Sequence, residues 1–394
     1  MQAEEQGGMN MRRVRGFIAL FWALVLICCA ATGARSAWME NGIAVCLTNE
    51  DKVGPSVHAD GAGGAVIVWA DDRLGSLDIY AQRIDAHGNA LWTANGQPIC
   101  TAANIQETPV VVVNTASGES FFAWRDYRSG GYDIYAQKVD GNGALLWEAG
   151  GTAVCTESGT QTAPGIILDG AGGAIISWRD NRSSGNDIYI QRITADGKID
   201  WTPATGVPVC TALGLQYYPT VVLDGDGGAI VAWSDYRSSN WDIYAQRVNR
   251  YGNIMWAADG VVVCAAPLDQ YYFTICPDGA GGMIAAWTDG RAGNDDVYAQ
   301  RMSGSGIAAW LAGGCALCTH PAAQGSVVLA GDGSGGAYVA WADNRPAHYE
   351  IYAQRVNGSG VPLWLYDGVA ICTAIDDQVA PEVASFGGSG AVIS

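Results

Sequence analysis

Residues 219–264 read PTVVLDGDGGAIVAWSDYRSSNWDIYAQRVNRYGNIMWAADGVVVC. Four short strands are expected here: Pro219 to Asp224, Ala229 to Ser234, Asp242 to Val248 and Val261 to Cys264. A Gly-rich hairpin turn, Asp224-Gly225-Asp226-Gly227-Gly228, joins the first two. Those two strands are nearly continuous apolar runs, which suits strands buried on both faces. The third alternates more, which suits a strand nearer an edge. Helical periodicity is absent.

The pattern recurs outward from this unit in both directions. Trp stands at 38, 92, 147, 201, 256, 310 and 364, a second Trp series runs 69, 124, 178, 233, 287 and 341, and Cys stands at 46, 100, 155, 210, 264, 318 and 372. Three series on one period of 54 or 55 residues establish an internal repeat. Four strands per unit of this length, repeated radially, point to an all-β fold, a β-propeller of four-stranded blades. Six units are complete between Pro55 and Thr373. Trp38 to Thr48 supplies a fourth strand only, and Pro381 to Ser394 a first strand and the start of a second. A partial seventh blade closed by the N-terminal strand is therefore expected, since closure removes an open edge. Gly390–Ser394 aligns with Gly173–Ser177, so the chain stops one residue before the seventh core Trp, as a truncated reading frame would.

Composition narrows the function classes. The chain has 394 residues, 49% hydrophobic and 15% charged, which excludes a disordered chain. Its formal charge of -18 leaves no basic surplus to displace counterions, so no nucleic-acid partner is expected. Arg12, Arg13 and Arg15 precede an apolar run from Gly16 to Ala31, followed by small residues. That is the pattern of a secretory signal peptide, cut between Ala31 and Ala37. The expected organisation is a signal peptide over 1–37 and a propeller over 38–394, with no membrane span once the signal is removed. The expected location is secreted, extracellular or cell-surface, with the periplasm as a further compartment.

The run Trp233-Ser234-Asp235-Tyr236-Arg237-Ser238-Ser239-Asn240-Trp241-Asp242-Ile243-Tyr244 resembles the TolB-type, WD40-like (PD40-like) propeller repeat, which carries S-D-x-R-S-G-N-x-D-I-Y between its second and third strands. W-x-D-x-R followed by D-I-Y-A-Q-R also looks like the long repeats of uncharacterised secreted bacterial proteins. The resemblance implies a fold and an export route and no activity, because propellers host enzymes, lectins and scaffolds alike.

Features present in every unit read as architecture. Asp and Arg stand two and four residues after each core Trp, as in Asp235 and Arg237, and one Asp–Arg bridge per blade is expected to hold the turn. The third-strand Tyr and Gln series, such as Tyr244 and Gln246, are expected to pack and hydrogen-bond between blades. The Asp-Gly-x-Gly-Gly turns lack the spacing of a calcium loop and read as tight hairpins. The repeated Cys read as small buried hydrophobes. Cys315 and Cys318 form a lone C-x-x-C for which a local disulfide stays open.

Function should lie in departures from the repeat. Blades four and five are unusually aromatic on one face: Tyr217, Tyr218, Tyr236, Trp241, Tyr271 and Tyr272, with Asn240, Asp235 and Asp269 nearby, and blade two adds Tyr127 and Tyr132. Such a surface suits a sugar face or a protein hot spot, so these aromatics and Asn240 are the candidate ligand-binding residues. His58, His87, His320 and His348 are scattered, and no metalloprotease, nucleophile-elbow or phosphate-loop motif occurs. No metal, cofactor or catalytic residue is assigned. The expected role is non-catalytic binding of an extracellular protein or glycan by a monomer. The alternatives are a glycan-active enzyme using carboxylates in the propeller funnel and a passive spacer.

Overall fold

The computed structural model describes residues 42–394, apart from Ser184 and Ala347. The expected signal peptide lies outside the described residues. The chain forms six antiparallel four-stranded sheets over 52–100, 106–155, 161–210, 216–264, 270–318 and 324–372, each in the strand order of the sequence. A two-stranded sheet follows, Val383–Ser385 with Ala391–Ile393. This repeated arrangement fits a propeller, and the sheets are called blades one to six below.

In blade four the strands are Gln216–Leu223, Ala229–Asp235, Asp242–Val248 and Val261–Cys264, so the third and fourth match expectation residue for residue. The burial expected of the first and third strands is overturned. The third strand is central and almost wholly buried, while the first is half exposed. The alternation read as an edge signal comes from the third strand's Tyr and from its Gln and Arg, whose polar ends are hydrogen-bonded internally. First strands of successive blades touch in turn and so line the inner side of the array.

The hairpin between the first two strands is built on one carboxylate. Asp224 Oδ1 accepts the N–H groups of Asp226 and Gly228, both at 2.8 Å, and Oδ2 accepts Arg247 Nε of the third strand at 2.9 Å. A Cβ on Gly228 would lie 2.2 Å from Val248 O, so only glycine fits. Asp60, Asp169, Asp278 and Asp332 repeat the ion pair.

A second carboxylate joins blades. Asp235 Oδ2 accepts Trp233 Nε1 at 2.8 Å and Arg237 Nη2 at 2.6 Å, and Oδ1 accepts Arg237 Nε at 2.8 Å. The same guanidinium donates to Asp259 O at 2.9 Å, lies 4.0 Å over the Tyr244 ring and reaches Cys210 Sγ of blade three at 3.2 Å. All six blades carry the bridge and the contact to the preceding Cys. The Cys series is thus more than apolar filler, since six of its seven sulfurs, from Cys46 to Cys318, accept a guanidinium N–H from the next unit. All nine described cysteines are free thiols. Cys315 and Cys318 are both buried and form no disulfide.

The Gln series acts within blades, correcting that part of the expectation, while Tyr189 and Tyr244 lie in apolar clusters that span adjacent blades. Gln246 Nε2 donates to Ala257 O, and its Oε1 accepts the N–H groups of Arg247 and Trp256. It therefore clamps its own blade's last loop. A further hydrogen bond between blades comes from the Trp that follows: Trp256 Nε1 donates to Gly304 O of blade five at 3.1 Å.

The expected closing strand over 38–48 is not seen. Residues 38–41 lie outside the described residues, and 42–48 form no strand. Cys46 nevertheless accepts Arg73 Nη2 at 3.3 Å, and Leu47 N donates to Asn95 Oδ1 at 3.0 Å, as Thr211 N does to Asp259 Oδ1.

Asp235→Ala should strand a buried guanidinium and a buried indole N–H, lowering stability by about 3–5 kcal/mol in urea denaturation. Asp226→Ala, at an exposed turn position, should change it by no more than about 0.5 kcal/mol.

Candidate functional site

Each first strand carries a bulge. In blade four the register shifts between Tyr217 and Thr220, in blade five between Tyr271 and Thr274. The bulge forces one residue into the left-handed region. Its occupants are Gly54, Thr108, Ala163, Tyr218, Tyr272 and Ser326, with φ between 49° and 58°. Four of the six are small. A tyrosine is strained there, and strain of this kind is retained where a side chain must point somewhere particular. Both tyrosines project into solvent, 69% and 73% exposed, in adjacent blades.

Trp241 precedes the third strand of blade four. Its indole lies 4.9 Å from the Tyr236 ring and 5.5 Å, edge-on, from Tyr217. Tyr217 is itself fixed: its hydroxyl accepts Asn186 Nδ2 at 3.0 Å and its ring lies 4.6 Å from the Arg179 guanidinium. Trp241 N donates to Asp269 Oδ1 at 2.9 Å, and Trp241 O accepts Gln270 N. Its backbone is therefore held by blade five, and its indole packs on rings of its own blade.

Tyr217, Tyr218, Tyr236 and Trp241 thus form one set of ring contacts in blade four, and Tyr271 and Tyr272 a second in blade five; Tyr218, Trp241, Tyr271 and Tyr272 line one cleft between them. Asn240 does not take part in the way expected. Its amide donates to Asp242 Oδ1 at 2.7 Å and Leu268 O at 2.8 Å, so it braces the loop. Asp235 is likewise absorbed by Trp233 and Arg237. Tyr127 and Tyr132 pair in blade two, 5.0 Å apart, with Tyr132 hydrogen-bonded to Glu107.

Two clefts flank the first strand of blade five. One, of about 570 Å³, lies between blades four and five and is lined by Tyr218, Ser234, Trp241, Asp269, Tyr271 and Tyr272 among others. The other, of about 600 Å³, lies between blades five and six. Tyr271, Tyr272 and Phe273 wall both. The second cleft adds Thr288, Asp295 and Tyr349, which the sequence reading did not select. The signal was available. Trp241, Asp295 and Tyr349 are the residues immediately before the third strands of blades four, five and six, and Ser234 and Thr288 both follow a core Trp. In blade three the residue after the core Trp is Arg179, which reaches across to Tyr217 of blade four. Ser234 and Thr288 are too short to span the same gap.

No protein-family model matches the chain, and no curated protein is significantly similar to it. Solved structures resemble it at low identity. An ulvan lyase, from a new family of polysaccharide lyases, is 11% identical, with a TM-score of 0.50 over 88% of this chain and 90% of that one. A protein described as TolB-like from Agrobacterium tumefaciens is 16% identical, with a TM-score of 0.38 over 67% of this chain and 81% of that one. An endo-arabinase from Bacteroides thetaiotaomicron is 12% identical, with a TM-score of 0.31 over 66% and 94%. At such identities the likeness concerns the fold alone.

The titrating carboxylates lie elsewhere. Across each hairpin a bridge Asp faces a second acid, as Asp71 faces Asp78 and Asp235 faces Asp242. Against the cost of burial, the Arg73 guanidinium and the Trp69 N–H hold the Asp71 carboxyl at about 2. Burial, reinforced by Asp71, pushes Asp78 up to about 6. A raised carboxyl pKa is a usual mark of an acid catalyst, but Asp78 is buried at 2% exposure inside its blade. The cause is local. Asp133, Asp187 and Asp242 are also raised by burial, but each accepts a Ser hydroxyl, from Ser129, Ser183 and Ser238, at 2.5–2.6 Å. Blade one has Leu74 at that position, and Asp78 Oδ2 has no partner among the described residues. Among the described residues no group of three or more His, Cys, Asp or Glu is placed to hold a metal ion.

Since the folded pKa of Asp78 lies above its unfolded value of 3.8, its favourable contribution is full below about pH 4 and is lost as pH rises through 6. Asp78→Asn should therefore gain on the order of 1 kcal/mol over wild type at pH 8, the gain vanishing near pH 4. Leu74→Ser should shift the pH profile in the same direction. Urea denaturation between pH 4 and 8 checks both, and parallel profiles would count against this account.

Proposed function

We propose that the chain is an exported, non-catalytic glycan-binding propeller whose site is the aromatic cleft between blades four and five. The observation that carries this reading is the pair of exposed tyrosines, Tyr218 and Tyr272, held at strained positions that small residues occupy in the other blades described. With the braced Trp241 they offer apolar ring faces to the C–H face of a sugar, next to a carboxylate suited to hydroxyl groups. Rigid aromatics lose little conformational freedom on binding, which favours a preformed platform.

The carboxylates argue for binding over turnover. Asp269 is engaged by Trp241 N–H, and Asp295 by the Tyr271 hydroxyl, whose ionisation burial and Asp295 both oppose. A general acid or base would have to leave such a contact. Export follows from the N-terminal signal pattern, and among the described residues no helix is long and apolar enough to cross a membrane. The TolB-type repeat supplies the blade, and the docking of Cys46 and Leu47 on blade one, where other blades receive their predecessor's fourth strand, supports a ring closed through a seventh blade.

The purified full chain should retain neutral glycans on an array, and Trp241→Ala should weaken that binding at least about tenfold. It should release no product from the same glycans. Product release that Asp295→Asn abolishes would replace this reading with the enzymatic one.

A further inference from the structure

We infer that the two clefts flanking the first strand of blade five are adjacent subsites of one groove, taking an uncharged oligosaccharide long enough to pass over Tyr272. This rests on the glycan-binding reading above and adds the class and length of the ligand.

Three observations on different parts of the molecule carry it. First, the clefts are not separate sites, because Tyr271, Tyr272 and Phe273 form a wall common to both. A ligand filling either one touches the exposed Tyr272 ring. Second, the repeat presents a functional series at one position, the residue before the third strand: Trp241, Asp295 and Tyr349 in blades four, five and six. The two aromatics are mounted alike. Trp241 N donates to Asp269 Oδ1 at 2.9 Å and Tyr349 N to Asp377 Oδ1 at 2.8 Å. An aromatic, a carboxylate and an aromatic at successive blades match a chain of sugars, stacking at both ends and hydrogen-bonding between. Third, the clefts are open because Ser234 and Thr288 stand where Arg179 crosses between blades three and four.

Charge then selects the ligand. The charged residues lining the clefts are Asp269 and Asp295, and no Lys, Arg or His lines either one among the described residues. A uronate or sulfated chain would meet carboxylates without a counter-charge, in a protein of formal charge -18. A neutral chain meets no such penalty.

The test is a glycan array followed by calorimetry on the full chain. The probes are neutral gluco-, xylo-, galacto-, manno- and N-acetylglucosamine oligosaccharides of two to six residues, beside oligogalacturonates of matched length. At least one neutral series should gain about tenfold in affinity between the disaccharide and the longer members, as the second cleft is engaged. Thr288→Arg fills only that cleft, at a position where blade three already carries Arg, and should reduce long ligands to disaccharide affinity. Tyr349→Ala should do the same without adding bulk. Urea denaturation should show both variants folded, and Asp226→Ala, outside both clefts, should bind every probe as wild type does. Affinity independent of length but lost in Trp241→Ala would overturn this inference and leave the single-site reading standing, as would preference for the oligogalacturonates. Binding to no probe would overturn both.

Discussion

Every blade depends on one buried carboxylate. Asp235 and its five counterparts accept an indole N–H, a backbone N–H and an arginine Nη2 at once, and in four of the six the arginine Nε as well, with no exposed surface on the acid side chain. An unpaired charge at that depth would be strongly destabilising, so the acid and the arginine constrain one another. The arginine is then directed onto a carbonyl of its own blade, the face of a tyrosine and the sulfur of the preceding blade. One ion pair thereby fixes the turn after the second strand, the packing of the third and the seating of one blade on the next. A second acid, at the first hairpin, ties that turn to the third strand. The interior is held by repeated polar clusters as much as by apolar contact.

That economy explains where variation is tolerated. Three positions per blade take no part in the clusters: the left-handed residue of the first-strand bulge, the residue after the core Trp, and the residue before the third strand. Around the array the last of these runs Leu77, Tyr132, Asn186, Trp241, Asp295 and Tyr349. The scaffold accepts apolar, aromatic, amide and acidic side chains there because none belongs to the repeated Asp–Arg bridge. The two clefts lie at blades four to six, where these positions hold Tyr218, Ser234 and Trp241, then Tyr272, Thr288 and Asp295, then Ser326, Ala342 and Tyr349. Asp78 shows the reverse case, a departure inside the repeat: loss of one supporting hydroxyl raises a buried carboxyl without creating an accessible acid.

The repeat period, the four strands of each unit, the hairpin glycines and the Asp–Arg bridge were determined by the sequence itself. They are local patterns, and a repeat states its own register each time it recurs. The proximity of four of the seven selected residues was legible too, since Tyr218, Trp241, Tyr271 and Tyr272 line one cleft. Tertiary structure decided the rest. Which strand is exposed depends on where the blade sits in the array, so the apolar first strand proved half exposed and the alternating third strand buried. Whether Gln246 and Cys210 act within or between blades depends on which loop folds over which edge, information that spacing alone does not hold. Asn240 lies among the right neighbours but turns into its own loop, a choice made by hydrogen bonds to residues two to twenty-eight positions away. The second cleft exists only because a residue as short as Thr288 leaves open a gap between two blades, and a gap between elements has no signature in the sequence of either one.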